Sequence, residues 1–339
     1  LIPQNRHLSA IDFYPGFPNL YVTSSAEILQ TVLMIYSKDK EMPLPTQEEV
    51  LICNEKTTAE EVILLWRRAI FDPGHKRIFC LVHGEKLSYS TCEESLRELN
   101  RLKQGKKGYR LVLLCSNNED SLHFITALHS YKRSNPDISG PILKEYLLHH
   151  LIKPKHTSIG TISSAIQASS VDPHCSYVRI VQSKNPGNGK SLYIQRLGER
   201  LMNSLNIEIP IIRIPIHGPD VPYNNILNKL SDLTQDDTKI IHFDIASTML
   251  KKVESFLFYV LVLGYLKDLR GNTWRRQISQ MYTIEVTLSD RQNHEATYNL
   301  LRLFPKALCL SPSNCRYINK SNACESTCRS TRSFYLWII

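Results

Sequence analysis

Residues 176–183, SYVRIVQS, and 184–191, KNPGNGKS, form the stretch of sequence that decides the fold. The first part has the apolar pattern of a buried strand. An amphipathic helical pattern, LYIQRLGERLMNSL, follows directly at 192–205. A strand, a glycine-containing loop, Gly-Lys-Ser and a helix in this order are typical of a phosphate-binding loop. The sequence therefore predicts a P-loop at this position.

The residues of the predicted loop have the chemistry that a nucleotide phosphate needs. Gly187 and Gly189, on either side of Asn188, allow the backbone to approach the phosphate closely and to adopt left-handed dihedral angles. Backbone N–H groups and the helix N-terminus then attract the anion. Lys190 is predicted to neutralise the β- and γ-phosphates, and the Ser191 hydroxyl to bind Mg²⁺. We therefore expect ATP and Mg²⁺ as ligands.

The match to the P-loop pattern GxxxxGK[ST] is incomplete at its first glycine. Lys184 stands there, and a side chain at this corner can strain or block the loop. The alternative is a strand–turn–helix corner in which Gly-Lys-Ser is incidental. The correct flanking elements weigh against that alternative, but they leave the strength of nucleotide binding open.

A second candidate motif, TKIIHFDIAS, begins at Thr238, and its apolar strand ends at Asp244. In phosphate-loop ATPases such an aspartate orients the water shell of Mg²⁺, so Asp244 joins Ser191 as a predicted metal-site residue. The next residue is usually the glutamate that positions the attacking water, but here it is Ile245. No general base is therefore evident, and no catalytic residue is assigned. The sequence favours binding over hydrolysis, and Asp244 as a simple turn cap remains the alternative.

Further strand patterns extend the predicted sheet on the C-terminal side of the P-loop. They lie at 207–218, IEIPIIRIPIHG, and at 282–288, YTIEVTL. The apolar run FLFYVLVLGYL at 256–266 is shorter than the roughly 20 residues of a membrane span, so a buried helix is expected there. The predicted fold class is α/β, with a P-loop parallel sheet of AAA+ type and flanking helices, preceded by a smaller α/β unit.

The smaller α/β unit is predicted from alternating strand and helix patterns upstream. RIFCLVHG and YRLVLLCS read as buried strands, each followed by an amphipathic helix, and the first of these helices is expected to be capped by Ser90 or Thr91. The predicted divisions are an irregular connector with short elements at 1–60, the α/β unit at 61–150, the P-loop module at 151–310 and an atypical tail at 311–339.

The chain begins at Leu1 rather than at methionine, which indicates a piece of a longer protein. The last stretch, from Ser311, departs from the rest of the chain, because it is rich in Ser, Cys and Arg and has no periodicity. We expect this tail to be read-through or mis-spliced sequence rather than part of the fold.

Composition excludes several function classes. The formal net charge is +9, but the basic residues are scattered, and the local cluster at 101–110 around two glycines is expected to be a solvated loop, which argues against nucleic-acid binding. Several of the nine cysteines lie in apolar runs, as expected for a reduced, intracellular protein. His83, His242 and the His149–His150 pair lack any metal-ligand spacing and are interpreted as structural or surface residues.

Five long stretches together resemble the mysterin, or RING-finger protein 213, family. They are CSYVRIVQSKNPGNGKSLYIQRLGERL, IIHFDIAS, SFLFYVLVLGYLKDLRGNTW, RIFCLVHGEKLSYSTCEESL and the opening LIPQNRHLSAIDFYPGFPNLYV. The resemblance covers roughly residues 1–310. It implies a giant E3 ubiquitin ligase with a dynein-like row of AAA+ units, some of them degenerate, located in the cytosol and at lipid droplets.

By this resemblance the chain is an internal AAA+ piece that binds ATP and supplies nucleotide-dependent structure rather than the ubiquitin-transfer site. Its partners are expected to be neighbouring AAA+ units, with ubiquitin and an E2 enzyme engaged by the longer protein. Zn²⁺ belongs to the family's RING, whose closely spaced Cys and His ligands are lacking in this sequence. The alternatives are a non-catalytic scaffold with a vestigial P-loop and a free-standing P-loop ATPase.

Overall fold

A computed structural model describes most of the chain. The chain folds into two compact units. The first unit comprises Leu1–Tyr146 and Leu257–Gly264, and the second comprises Leu147–Phe256 and Tyr265–Ile339. The described residues are 14–72, 77–117, 122–151, 178–218, 220–231, 238–246, 250–267, 271–276, 280–287 and 299–309.

A four-stranded parallel sheet forms the centre of the first unit. Its strands stand in the order β1-β4-β3-β2. The strands consist almost wholly of buried residues, which fits a parallel sheet covered on both faces. They are β1 Pro18–Thr23, β2 Val50–Ile52, β3 Phe79–Val82 and β4 Leu111–Ser116.

Helices lie between these strands and after β4, and their ends follow local capping chemistry. The sequence TAEEVILLWRRAIF predicts a helix capped by Thr58 or Thr57. The structure confirms this helix as α2 (Ala59–Ile70), with a capping box between Thr58 and Glu61. The cap of α3 is Ser88, whose side chain accepts from the Thr91 amide, so the predicted cap at Ser90 or Thr91 is wrong by a few residues. The helices are α1 Ile28–Tyr36, α2 Ala59–Ile70, α3 Tyr89–Leu102, α4 Leu122–Ala127 and α5 Gly140–Leu151.

Residues 1–60 were predicted as an irregular connector with short elements. The described part has short elements, but they belong to the first unit and do not form a connector. Strand β1 lies in the sheet beside β4, and β2 lies beside β3. The prolines of this segment favour irregular structure. Pro18, however, is the first residue of a strand, where its missing N–H is tolerated. The adjacent Asn19 is fully buried, and its side chain donates to the carbonyl oxygens of Phe17 at 2.8 Å and Leu111 at 3.2 Å.

The core of the first unit gathers around Trp66, which is fully buried. Its indole Nε1 donates to the Ser95 carbonyl oxygen at 3.1 Å and so ties α2 to α3. Arg101 lies in the last turn of α3, and the rest of the basic segment, from Lys103, forms the predicted loop, with Gly105 and Gly108 at positive φ.

The second unit has a five-stranded parallel sheet in the order β11-β5-β10-β7-β6. A small antiparallel pair, β8 with β9, completes its strands. The strands are β5 Val178–Ser183, β6 Ile211–Ile216, β7 Lys239–Ile245, β8 Tyr265–Lys267, β9 Thr273–Arg275, β10 Gln280–Thr287 and β11 Lys306–Leu308.

The remaining helices include the predicted P-loop helix and the predicted buried helix. They are α6 Lys190–Leu205, α7 Tyr223–Ser231, α8 Leu250–Leu257, a π-helix Phe258–Leu263 and α9 Asn299–Leu303. The π-helix is buried at every residue except Tyr259, which confirms the buried-helix interpretation of the apolar run. Among the described residues, no helix is long and apolar enough to cross a membrane.

The two sheets share one strand order. We number the strands of each sheet in the order in which they occur in the chain, leaving out the separate β8–β9 pair. The second sheet then has the order 5-1-4-3-2, and the first has the order 1-4-3-2. Beside β1, where a fifth strand would stand, Leu20 forms a single parallel bridge with Lys132. The first unit therefore has the topology of the second with its fifth strand reduced to one bridge.

Two predicted regions lie outside the described residues. The structure leaves out 152–177, which include most of the region around 150–175 where a domain boundary was predicted, and the residues from 310 onward, which include the predicted tail at 311–339.

Candidate functional site

The loop between β5 and α6 has the backbone of a phosphate cradle. Strand β5 ends at Ser183 and α6 begins at Lys190. Gly187 (φ 80°) and Gly189 (φ 74°) both adopt left-handed conformations that other residues rarely take. A Cβ added at Gly187 would meet nothing within 4 Å, so the loop is open on that side. Gly189 caps α6, and its carbonyl accepts the Tyr193 amide at 2.8 Å.

Lys184 occupies the first-glycine position without strain. It is exposed and does not have a positive φ, so its backbone is accessible to any residue. The predicted obstacle at this corner is therefore not one of backbone conformation.

Lys190 is held inside the site. Only 6% of its surface is exposed, which is unusual for a lysine and requires polar partners. Its Nζ donates to the Ser183 Oγ at 3.1 Å and lies 3.8 Å from the Glu285 Oε1. The ammonium group therefore stands between the strand that enters the loop and a neighbouring carboxylate.

Ser191 meets the same carboxylate. Its Oγ donates to the Glu285 Oε2 at 2.8 Å. Glu285 lies on β10, which pairs directly with β5, so the strand order brings this residue to the start of α6. The His242 Nε2 also approaches the Glu285 Oε2, at 3.1 Å, from the other neighbouring strand, β7.

Burial and hydrogen bonding act in opposite directions on Glu285. Burial raises the pKa of its carboxyl group, but the hydrogen bonds from His242 and Ser191 outweigh burial and hold the pKa below its usual value. Glu285 is thus an anion at neutral pH, in contact with a lysine and a serine of the predicted P-loop.

Asp244 lies near but has other partners. Its Oδ2 accepts from the Arg213 guanidinium and lies 3.1 Å from the His217 Nε2. Burial raises the pKa of Asp244, and these two hydrogen bonds more than reverse the effect, so the net shift is downward. Asp244 and Glu285 are direct partners in the β7–β10 register, which places both on one face of the sheet.

Sequence reasoning missed Glu285 and the role of His242. The only available signal was a charged residue inside the apolar strand YTIEVTL, which is rarely buried unless paired. His242, interpreted as structural, is buried and touches the site. Among the described residues, no group of three or more His, Cys, Asp or Glu side chains forms a ready metal cage.

The residues that are present fit a bound magnesium nucleotide. The loop offers left-handed glycines, a 16-residue helix with its N-terminus at the loop, a buried ammonium group, a hydroxyl group and a carboxylate. Gly187, Asn188, Gly189 and Lys190 would hold the phosphates. Ser191, with a carboxylate nearby, would hold the cation.

Two family models match the chain, one in each unit. Both are described as the RNF213 AAA domain, and they cover residues 18–133 and 174–315. The first match begins at Pro18, the first residue of β1.

Curated proteins with similar sequences are E3 ubiquitin ligases. The human protein named E3 ubiquitin-protein ligase RNF213 is 30% identical over 317 residues, which is 88% of this chain. The zebrafish (Danio rerio) protein named E3 ubiquitin-protein ligase rnf213-beta is 32% identical over 321 residues, or 91% of this chain. The chain spans 6% of the length of each of these relatives.

A solved structure, NtrX from Brucella abortus, aligns with 91% of this chain and 71% of its own, at 12% identity and a TM-score of 0.30. A score of this size carries no fold argument. The fold assignment therefore rests on the strand order and on the two family models.

Proposed function

The chain belongs to the RNF213 AAA domain family, and on that premise we propose that its second unit binds ATP with Mg²⁺ as a module of an E3 ubiquitin ligase. In this role the nucleotide stabilises the unit and sets its conformation. Transfer of ubiquitin belongs to other parts of the longer protein, and so do contacts with ubiquitin and an E2 enzyme. Neighbouring AAA units are the direct partners of this chain.

The observation that carries this proposal is the buried Lys190 at the start of α6, behind a loop with two left-handed glycines. A buried ammonium group is costly unless anions surround it. Glu285 supplies one anion at 3.8 Å, and the open side of the loop at Gly187 leaves space for others. Phosphate oxygens at this position would add hydrogen bonds from the loop and from the N-terminus of α6.

Hydrolysis is not part of the proposal. Strand β7 ends with Asp244 and Ile245, so the carboxylate that usually positions the attacking water has an apolar residue in its place. A unit that binds ATP without hydrolysing it works as a stable structural piece of a larger assembly. The cytosol and the surface of lipid droplets are the proposed sites of action of the longer protein.

The test is isothermal titration calorimetry of Mg-ATP with the full 339-residue chain. We expect one saturable binding event that Lys190→Ala abolishes, because the variant removes the buried charge that faces the phosphates. At 100 times the dissociation constant, bound ATP should stabilise the unit by about 2.7 kcal/mol, which a thermal-shift assay detects.

The matched control is Lys229→Ala, which removes an exposed lysine in the last turn of α7. This variant should bind Mg-ATP as the unmodified chain does. Circular dichroism establishes that both variants are folded. A folded, unmodified chain that gives no heat with Mg-ATP would instead support the scaffold with a vestigial P-loop.

A further inference from the structure

We propose that Glu285, and not Asp244, is the carboxylate that positions Mg²⁺ in this site, acting through the Ser191 hydroxyl. This inference rests on the proposed binding of ATP. The sequence pattern assigns this role to Asp244 at the end of β7, whereas we assign it to Glu285 on the neighbouring strand β10.

The first argument is the direction of the Ser191 hydroxyl. A serine hydroxyl has one proton to donate and two lone pairs with which to accept or to bind a cation. In this site the proton is directed to the Glu285 Oε2 at 2.8 Å. The lone pairs are thereby left for a metal ion, and a carboxylate that holds the proton also makes the oxygen a better ligand.

The second argument is charge compensation. The Asp244 carboxylate is already engaged by two basic side chains, since Arg213 donates to its Oδ2 and His217 lies 3.1 Å from the same atom. A carboxylate that is neutralised in this way has little charge left for a divalent cation. Releasing it would require both basic partners to move.

Glu285 also has a lysine and a histidine beside it, but its lysine is held less closely than Arg213 is held by Asp244. Its cationic partner from the P-loop is Lys190, at 3.8 Å, which is beyond hydrogen-bond distance. Once phosphate oxygens engage Lys190, Glu285 loses that compensation and gains a divalent cation in its place.

His242 completes the arrangement as an orienting group. Its Nε2 lies 3.1 Å from the Glu285 Oε2, and both side chains are buried. When the Nε2–H donates to the carboxylate, it fixes the orientation of Glu285 toward Ser191.

The experiment compares ATP binding in Mg²⁺ with ATP binding in EDTA, by calorimetry on the full chain. Glu285→Gln keeps the size of the side chain and removes its charge. We expect the ratio of the two affinities to fall 10- to 100-fold in this variant, as is typical when a partner of a metal ligand is removed. Binding in EDTA should be retained, because Lys190 still faces the phosphates.

Three variants make the result specific. Ser191→Ala should lower the same ratio, and Asp244→Asn should leave most of it intact. Glu199→Gln, which neutralises a carboxylate in the middle of α6 that pairs with Arg196, is the matched control and should keep the full ratio.

The outcomes separate the inference from the proposed function. Loss of the Mg²⁺ effect in Asp244→Asn with retention in Glu285→Gln would overturn the inference and leave ATP binding intact. Tighter Mg-ATP binding by Glu285→Gln would also overturn it, because Glu285 would then only compete with phosphate for Lys190. No ATP binding by the unmodified chain in either condition would overturn both.

A second measurement follows metal binding directly and includes a conservative variant, so that loss of the carboxylate can be distinguished from misfolding. Mn²⁺ replaces Mg²⁺, and its binding to the chain with ATP is followed by electron paramagnetic resonance. Glu285→Asp retains the charge but withdraws it by one methylene group. We expect this variant to bind Mn²⁺ with an affinity between those of the unmodified chain and Glu285→Gln.

Discussion

A single buried carboxyl group gives the second unit a pH-sensitive point away from the P-loop. Glu254 on α8 has its Oε1 fully buried, and no hydrogen-bond partner for this atom exists among the described residues. Burial raises the pKa of Glu254, the Leu300 backbone N–H lowers it in part, and the resulting pKa is about 7. The folded chain therefore retains a proton that the unfolded chain releases near pH 4.5.

The sign of the stability effect follows from this raised pKa. The contribution of Glu254 to stability is fully present below about pH 4.5 and is lost as the pH rises through about 7. Glu254→Gln should therefore increase the free energy of unfolding most at pH 8, by on the order of 1–3 kcal/mol, and little near pH 5. Urea denaturation at both pH values measures the difference.

The exposed Glu208 supplies the control for this prediction. Glu208→Gln should change stability equally little at pH 5 and pH 8. An equal gain from Glu254→Gln at both pH values would show that the side chain is ionised in the folded state throughout.

Only part of the candidate site could be predicted from the sequence. Lys190 and Ser191 could be predicted because the P-loop pattern is local. Glu285 lies 94 positions from Ser191, and only the strand order brings the two together. No short sequence motif indicates a contact between residues so far apart in the chain. Lys190 and Ser191 could therefore be predicted, but Glu285 could not.

Single elements follow their local signals closely, and helix α2 is the clearest case. Thr58 accepts from the Glu61 amide at 3.3 Å, and the Glu61 side chain accepts from the Thr58 amide at 3.1 Å. The Thr58 cap was predicted because such chemistry depends on neighbours in the sequence. Strands β1 and β2 were missed because short strands with prolines gain their stability from partners distant in the chain.

The cap of α2 yields a stability prediction. Thr58→Ala removes the acceptor for the Glu61 amide and should lower the free energy of unfolding by about 0.5–2 kcal/mol. Thr58→Ser keeps the hydroxyl and should remain close to the unmodified chain. Urea denaturation followed by circular dichroism checks both, and an equal loss in the two variants would mean that the methyl group matters rather than the cap.

At the scale of the whole molecule, the two units repeat one topology with different connections after the first strand. In the second unit, residues 184–189 link β5 to α6 and include both left-handed glycines. In the first unit, residues 24–27 link β1 to α1. This link is two residues shorter, and its Glu27 carboxylate accepts from the Ser24 hydroxyl at 2.7 Å at the helix N-terminus.

The difference between the links predicts the stoichiometry of nucleotide binding. The first unit lacks both a Gly-Lys-Ser sequence and a loop long enough to surround a phosphate, and Glu27 places a negative charge at the helix end. We therefore expect one ATP per chain by calorimetry and none after Lys190→Ala. Two sites, or a residual site in that variant, would contradict this assignment.

The short link after β1 also has a meaning for the history of the family. Amino-acid substitutions can restore a lost glycine or lysine, but they cannot lengthen a connection, which requires an insertion in the gene. The first unit, whose link is two residues shorter than that of the second, therefore needs an insertion as well as substitutions to acquire a loop of the same length. The length of this link can be compared among related proteins. Such a comparison would show which of them share the two-residue difference between the units.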